Sequence, residues 1–381
     1  MKTKMALTLL MFSGALFLIS PESHAVALRP GDIVVVDASA FGGTGGVIKV
    51  DSTNGAQEVI SAGGMFVAPR GVAIDGTGQI IVADQIARAV IRVDPDAGVQ
   101  TIVSSGGLFI TPLAVAVDDA GNIIVADAGP SLGTGSVIKV NASTGQQTLI
   151  SSGGFFVDPH GVAIGATGEI FVSENHIDGG SAGAIIKVDP ATGSQTLISS
   201  GGRLIRLVHV TLDSAGNVIA ASLGFDGALA GIIKVDRNTG EQEVISSGGL
   251  LFSPTGVAMD AAGDIMVSDQ NAFGGSGGLI KVDAASGTQT ALSSGELFVD
   301  PTGVAVVHVR FVEIDIKPGS DPNSINLKSK EKIPVAVLTT AELNAAVEID
   351  LATLTFGRQG CITADRKFQA CFGTVGRLPS A

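Results

Sequence analysis

A segment reading I-K-V-D, or a close variant, returns along this chain with its basic residue at Lys49, Arg92, Lys139, Lys187, Lys234 and Lys281, in steps of 43, 47, 48, 47 and 47 residues. Self-similarity at such a period restricts a chain to repeat architectures, in which each unit buries its apolar face only against its neighbours. A second marker, the Pro of P-x-G-V-A or a near variant, falls at Pro69, Pro112, Pro159, Pro254 and Pro301, with Leu207 where the sixth belongs. Two independent markers therefore agree on one period.

Each unit holds four short apolar runs separated by turn signals, as at 71–75, 80–84, 90–94 and 100–104. Turns such as Asp75-Gly-Thr-Gly78 and Asp236-Arg-Asn-Thr-Gly240 combine an Asp that bonds the backbone ahead of it with a Gly that supplies positive φ, the chemistry of tight hairpins. Their carboxylates do not alternate at calcium-loop spacing. Four-stranded meanders at this period predict an all-β fold, a six-bladed β-propeller over residues 26–307. The second strand of the unit recurs six times, near 33, 80, 123, 170, 218 and 265, and the first six times, near 72, 115, 162, 209, 257 and 304. The array opens with second, third and fourth strands and ends on a lone first strand at 303–307. That strand is expected to complete the first blade beside 32–37 and so close the ring without an exposed edge. Ala73, Ala116, Ala163, Ala258 and Ala305 share one position of the first strand, where blades crowd at the axis; Phe66, Phe109, Phe156, Phe252 and Phe298 are expected as apolar anchors under the interblade loops.

The flanks differ from the array. Lys2 and Lys4, an apolar run to Ile19 and the small residues ending at Ala25 have the order of a secretory signal peptide over 1–25, which predicts an exported chain, periplasmic or extracellular, with no membrane span after cleavage. Residues 308–360 are expected as a small β-rich appendage, resembling a short module at the ends of exported bacterial proteins, and 361–381 as a tail. Cys361 and Cys371 are the only cysteines, so a disulfide between them would staple nothing in the main body. A formal charge of −13 disfavours nucleic acid as a partner, since its recognition rests on Lys and Arg.

The pattern P-x-G-V-A-x-D-x-x-G-x-I-x-V-A-D, present from 69 to 84 and with one Ser for Ala from 254 to 269, resembles the NHL-repeat propellers, over about residues 30–307. The resemblance implies the fold and leaves activity open, since such propellers include scaffolds, binding modules, lyases and lactone hydrolases.

The rim that carries the loops between second and third strands is where length varies. From the end of the second strand to the basic residue the spacing is 12, 8, 12, 13, 12 and 12 residues in successive blades. Variation confined to one rim marks it as the functional face. There the second strands end on Asp37, Asp84, Asp127, Glu174, Ser222 and Asp269. These residues form either an acidic crown that contacts a ligand or a cation such as Ca²⁺, or a set of loop caps; capping is the favoured expectation. Blades four and five break the repeat with His160, Glu174, His176 and Asp178 in one and Arg203, Arg206 and His209 in the other. The stretch 159–176 also resembles repeats of streptogramin-type lyases in its P-H-G and Glu174-Asn175, although the strand Trp residues of those lyases are absent here. That resemblance implies an active-site His working with a divalent metal.

Two functions follow as expectations. One is a binding or scaffolding module for a protein, carbohydrate or small molecule, with Asp37, Asp84, Asp127, Arg206 and Asp269 at the ligand. The other is a metal-assisted lyase or hydrolase in which His160 and His209 are catalytic and Glu174 and His176 hold a Ca or Zn ion, with His160, His209 and Glu174 converging at the mouth of the channel.

Overall fold

The computed structural model describes residues 28–131, 133–177, 180–224 and 229–308, together with the backbone of five short strands beyond them. The segment 1–25 expected as a signal peptide and Asp178 lie outside the described residues.

The repeat folds into six four-stranded antiparallel sheets. Blade two is representative, running outward from Pro69–Ile74 through Ile80–Asp84 and Ala89–Val93 to Gln100–Ser105. The innermost strands contact one another in a closed cycle around an axis. Blade one is completed by the two ends of the array: Pro301–Val306 pairs antiparallel with Ile33–Asp37, in the register Ile33↔Val306 and Val35↔Val304. The Val307 amide, donating to the Asp32 carbonyl at 2.9 Å, extends that seam.

Each second strand is buried along its whole length, because both of its faces meet a neighbouring blade. Continuous Val and Ile runs at these positions have that origin. The apolar clusters accordingly straddle blade boundaries: Val36 and Val47 of blade one pack with Val82 and Ile91 of blade two. Near the axis the strands approach so closely that a Cβ on Gly71 would lie 2.6 Å from the Ala114 Cα, which favours a small residue at the third position of most inner strands.

Polar clasps reinforce every junction. Gln147, at the start of an outer strand, donates to Ser104 Oγ and to the Gly106 carbonyl at 3.0 Å and accepts from the Leu108 amide at 2.6 Å, all in the preceding blade. Gln57, Gln100, Gln195, Gln242 and Gln289 repeat the arrangement, with Gln57 joining blade one to blade six. Within blades, Lys49, Lys139, Lys234 and Lys281 pair with Asp32, Asp118, Asp213 and Asp260, which explains the recurrent basic residue of the third strand. The Asp of the tight turns bonds the turn itself, as where Asp75 Oδ1 accepts from the Thr77 and Gln79 amides.

Phe66, Phe109, Phe156 and Phe298 are buried as anchors, but Phe252 is not: it is 60% exposed, and Leu251 at 3% fills the place. The Phe precedes the proline by three residues in four blades and by two in blade six, while blade five has neither, so Leu251 occupies the equivalent position.

Beyond the ring, Ile314–Ile316 pairs with Val335–Val337, and Leu354–Phe356, Cys361–Ala364 and Phe368–Cys371 form a three-stranded sheet in which Cys361 and Cys371 are directly opposed. Among the described residues no helix is long and apolar enough to cross a membrane.

Candidate functional site

An inner strand begins on the same rim on which a second strand ends, so the residues around the blade prolines face the ends of the second strands. The acidic residues at those ends are fully enclosed. Asp84 accepts from the Val67 amide at 2.8 Å, the Ala68 amide at 3.0 Å and the Ala87 amide at 2.9 Å, tying the loop entering the blade to the loop leaving the second strand. Asp127 does the same with Ile110, Thr111 and Gly129, Asp269 with Phe252, Ser253 and Asn271, and Asp37 with Val299, Asp300, Ser39 and Ala40. In blade five Ser222 fills this role, its Oγ donating to the Ile205 carbonyl at 2.8 Å. These carboxylates are buried structural acceptors rather than an open ring of ligands.

Glu174 holds the same place in blade four with one more methylene. Its carboxyl accepts from the Val157 amide at 3.1 Å and from the Asp158 amide. Burial pushes its pKa up to about 8, the nearby Asp158 charge adding to that rise, against the opposing effect of the Asp158, Val157 and His176 amides. At neutral pH Glu174 is therefore largely uncharged, a poor metal ligand and a potential proton donor.

Over this capped blade lies a recess of about 480 Å³ bordered by Asp158, His160, Asn175, His176, Arg206 and Thr255, among others. Asp158 is its centre: its Oδ2 lies 3.1 Å from His160 Nε2 and 3.9 Å from His176 Nε2. Burial works to raise the Asp158 pKa, but the His160 hydrogen bond and the charges of His160 and His176 outweigh it, holding the carboxyl below its ordinary value. His176 Nδ1 bonds the Gly180 carbonyl, and Asn175 Nδ2 donates to the Leu207 carbonyl at 3.0 Å, linking the recess to blade five. Arg206 enters from blade five in a left-handed backbone conformation, φ 51°. An anionic Asp158 that orients an imidazole is the arrangement of an acid–base pair, and the surrounding polar edges suit hydrogen-bonded recognition.

His209 does not join this group, so the expected convergence of His160, His209 and Glu174 is not what the structure shows. His209 replaces Gly or Ala at the third position of its inner strand, where a side chain is directed between neighbouring inner strands; its ring is buried beside the central channel. Asp158, conversely, escaped the sequence reading. The sequence did place an acid two residues before His160, but Asp158 precedes the inner strand, which begins at Pro159, so strand alternation could not show that the two meet. Among the described residues no group of three or more His, Cys, Asp or Glu is placed to hold a metal ion.

Known proteins resemble this chain in fold and not in sequence. No family model and no curated protein matches the sequence. Among solved structures, a chain from the crystal structure of a nidogen/laminin complex superposes with a TM-score of 0.57 at 13% identity, over 72% of this chain and 98% of that one. A likeness at that identity concerns the propeller fold alone.

Proposed function

We propose that this chain is an exported, NHL-like binding propeller that docks a protein partner on the rim bearing the blade-four and blade-five recess. One observation carries this reading: Met65, Val67, Ile86, Leu229, Phe252 and Val299, between 42% and 67% exposed, all sit in loops of that rim. Large apolar side chains repeated along one water-facing rim mark an interaction surface, and the polar recess next to the Phe252 loop supplies orientation. The structural neighbour is itself part of a protein complex, which agrees with the reading.

A photo-crosslinking residue placed at Phe252 in the producing cell, compared with one at Val99 on the opposite face, tests it. One recurrent adduct from position 252, absent from position 99, is expected; equal labelling from both positions, or none from the rim, contradicts it.

The Asp158 and His160 contact favours a second reading, in which the recess is a hydrolase or lyase site with His160 as the base. Glu174 and His176 as metal holders receive no support from the geometry, because Glu174 is buried on backbone amides. Elemental analysis of the purified protein decides the point: stoichiometric zinc or calcium that His160→Ala releases would restore the metal-assisted reading.

A further inference from the structure

The central channel presents a second recess, on the face away from the docking rim. It is a cavity of about 910 Å³ walled by the later residues of all six inner strands. Five of those strands offer it aliphatic side chains only, such as Ala73 and Ile74 or Ala258 and Met259. The blade-five strand differs twice, with Thr211 where the others have Ala and His209 where they have Gly or Ala. Only in that blade does the third position reach the cavity at all.

His209 is 8% exposed, and neither of its ring nitrogens has a hydrogen-bond partner within the protein; the Val257 backbone approaches without bonding geometry. Leaving a buried polar group unpaired is unfavourable, and here it also displaces the small residue that the crowded axis favours. A side chain kept at such expense points to a function in the channel. Burial pushes its pKa down to about 4, so the ring is neutral and offers one N–H donor and one nitrogen acceptor whatever its tautomer. Asp75, Asp94 and Asp96 border the cavity at the turns of blade two. Their charge repels anions, while the aliphatic walls penalise a strongly hydrated cation.

We propose that the channel is a binding site for a neutral, mainly aliphatic small molecule bearing a hydroxyl group, which pairs with His209 and is flanked by Thr211. A hydroxyl both donates and accepts, matching the two faces of a neutral imidazole, and the cavity falls within the usual range for small-molecule sites, about 300–1,000 Å³.

Titration of the full chain with 1-decanol, followed by calorimetry and by the histidine ring signals in NMR, tests the site. Saturable one-to-one binding that shifts the His209 ring is expected, with decanoate and decylammonium binding more weakly. His209→Ala installs the residue that blade three carries as Ala114, so the ring should fold, and it should weaken 1-decanol about tenfold, the effect of losing one or two neutral hydrogen bonds. Thr211→Ala, which restores the residue of the other blades, should weaken it less. Absence of saturable binding, an unmoved His209 signal in the wild-type protein, or equal affinity in His209→Ala would show that the cavity holds only water and overturn the proposal. Should His209→Ala fail to fold, the wild-type ring shift and the preference over the charged analogues decide the matter alone.

Discussion

Glu174 shows how one methylene changes the chemistry of a repeated position. Asp84 and Asp127 accept from loop amides on both sides; Glu174 does so too, but in a buried site beside the Asp158 charge. Its folded pKa of about 8 lies above the ordinary glutamate value of 4.5, so the folded state holds a proton there that the unfolded state has released. Stability from this group is thus fully present below pH 4.5, falls as the pH rises, and levels off above about 8. Glu174→Gln should flatten that part of the profile. Denaturant unfolding of both proteins between pH 5 and 9 measures it, and parallel profiles would show that Glu174 does not titrate in this range. At this scale His160, His176, Arg206 and Glu174 were readable as departures from the repeat. What each departure does was not readable, because the direction of a side chain depends on the bulge that shifts the register at the start of the inner strands.

Among elements, the outer strand is the one whose role the sequence conceals. Its opening Gln appears in every unit and reads locally as an ordinary polar residue, yet in three dimensions it crosses to the preceding blade. Gln147→Leu should cost about 1–3 kcal/mol, because the Gly106 carbonyl and the Leu108 amide lose their partner where water is only partly able to replace it. Urea unfolding checks this, and a loss below experimental error would mean that solvent satisfies the clasp. Strand identity and order, by contrast, were legible from the alternation of apolar runs and Asp or Gly turns, since both are local. The paired loops holding Ala40–Gly43 and Ala272–Gly275 were not foreseen, although both spell A-F-G-G. There Phe41 and Phe273 adopt φ of 56° and 55°, and each ring covers a glycine, Gly46 or Gly278, at the start of the next strand. A non-glycine residue in the left-handed region is uncommon, and here ring packing over the glycine accompanies it.

For the whole molecule the decisive contact joins residues about 270 positions apart, the pairing of Ile33–Asp37 with Pro301–Val306. Counting first and second strands was enough to foresee it, since a meander that begins with its second strand leaves one strand over. A chain ending at residue 308 retains that seam and the six Gln clasps, and should unfold in the same cooperative transition as the full protein. A chain ending at residue 300 leaves Ile33–Asp37 as an open edge facing the axis and removes Thr302 and Gly303 from the contact with blade two. It should lose the cooperative transition, exchange the amides of 33–37 within the earliest time points, and self-associate through the unpaired strand. Hydrogen exchange and light scattering on the two truncations make the comparison. Equal protection of 33–37 in both would mean that blade one is stable as a three-stranded sheet, and that ring closure contributes little to holding the rim and the channel in place.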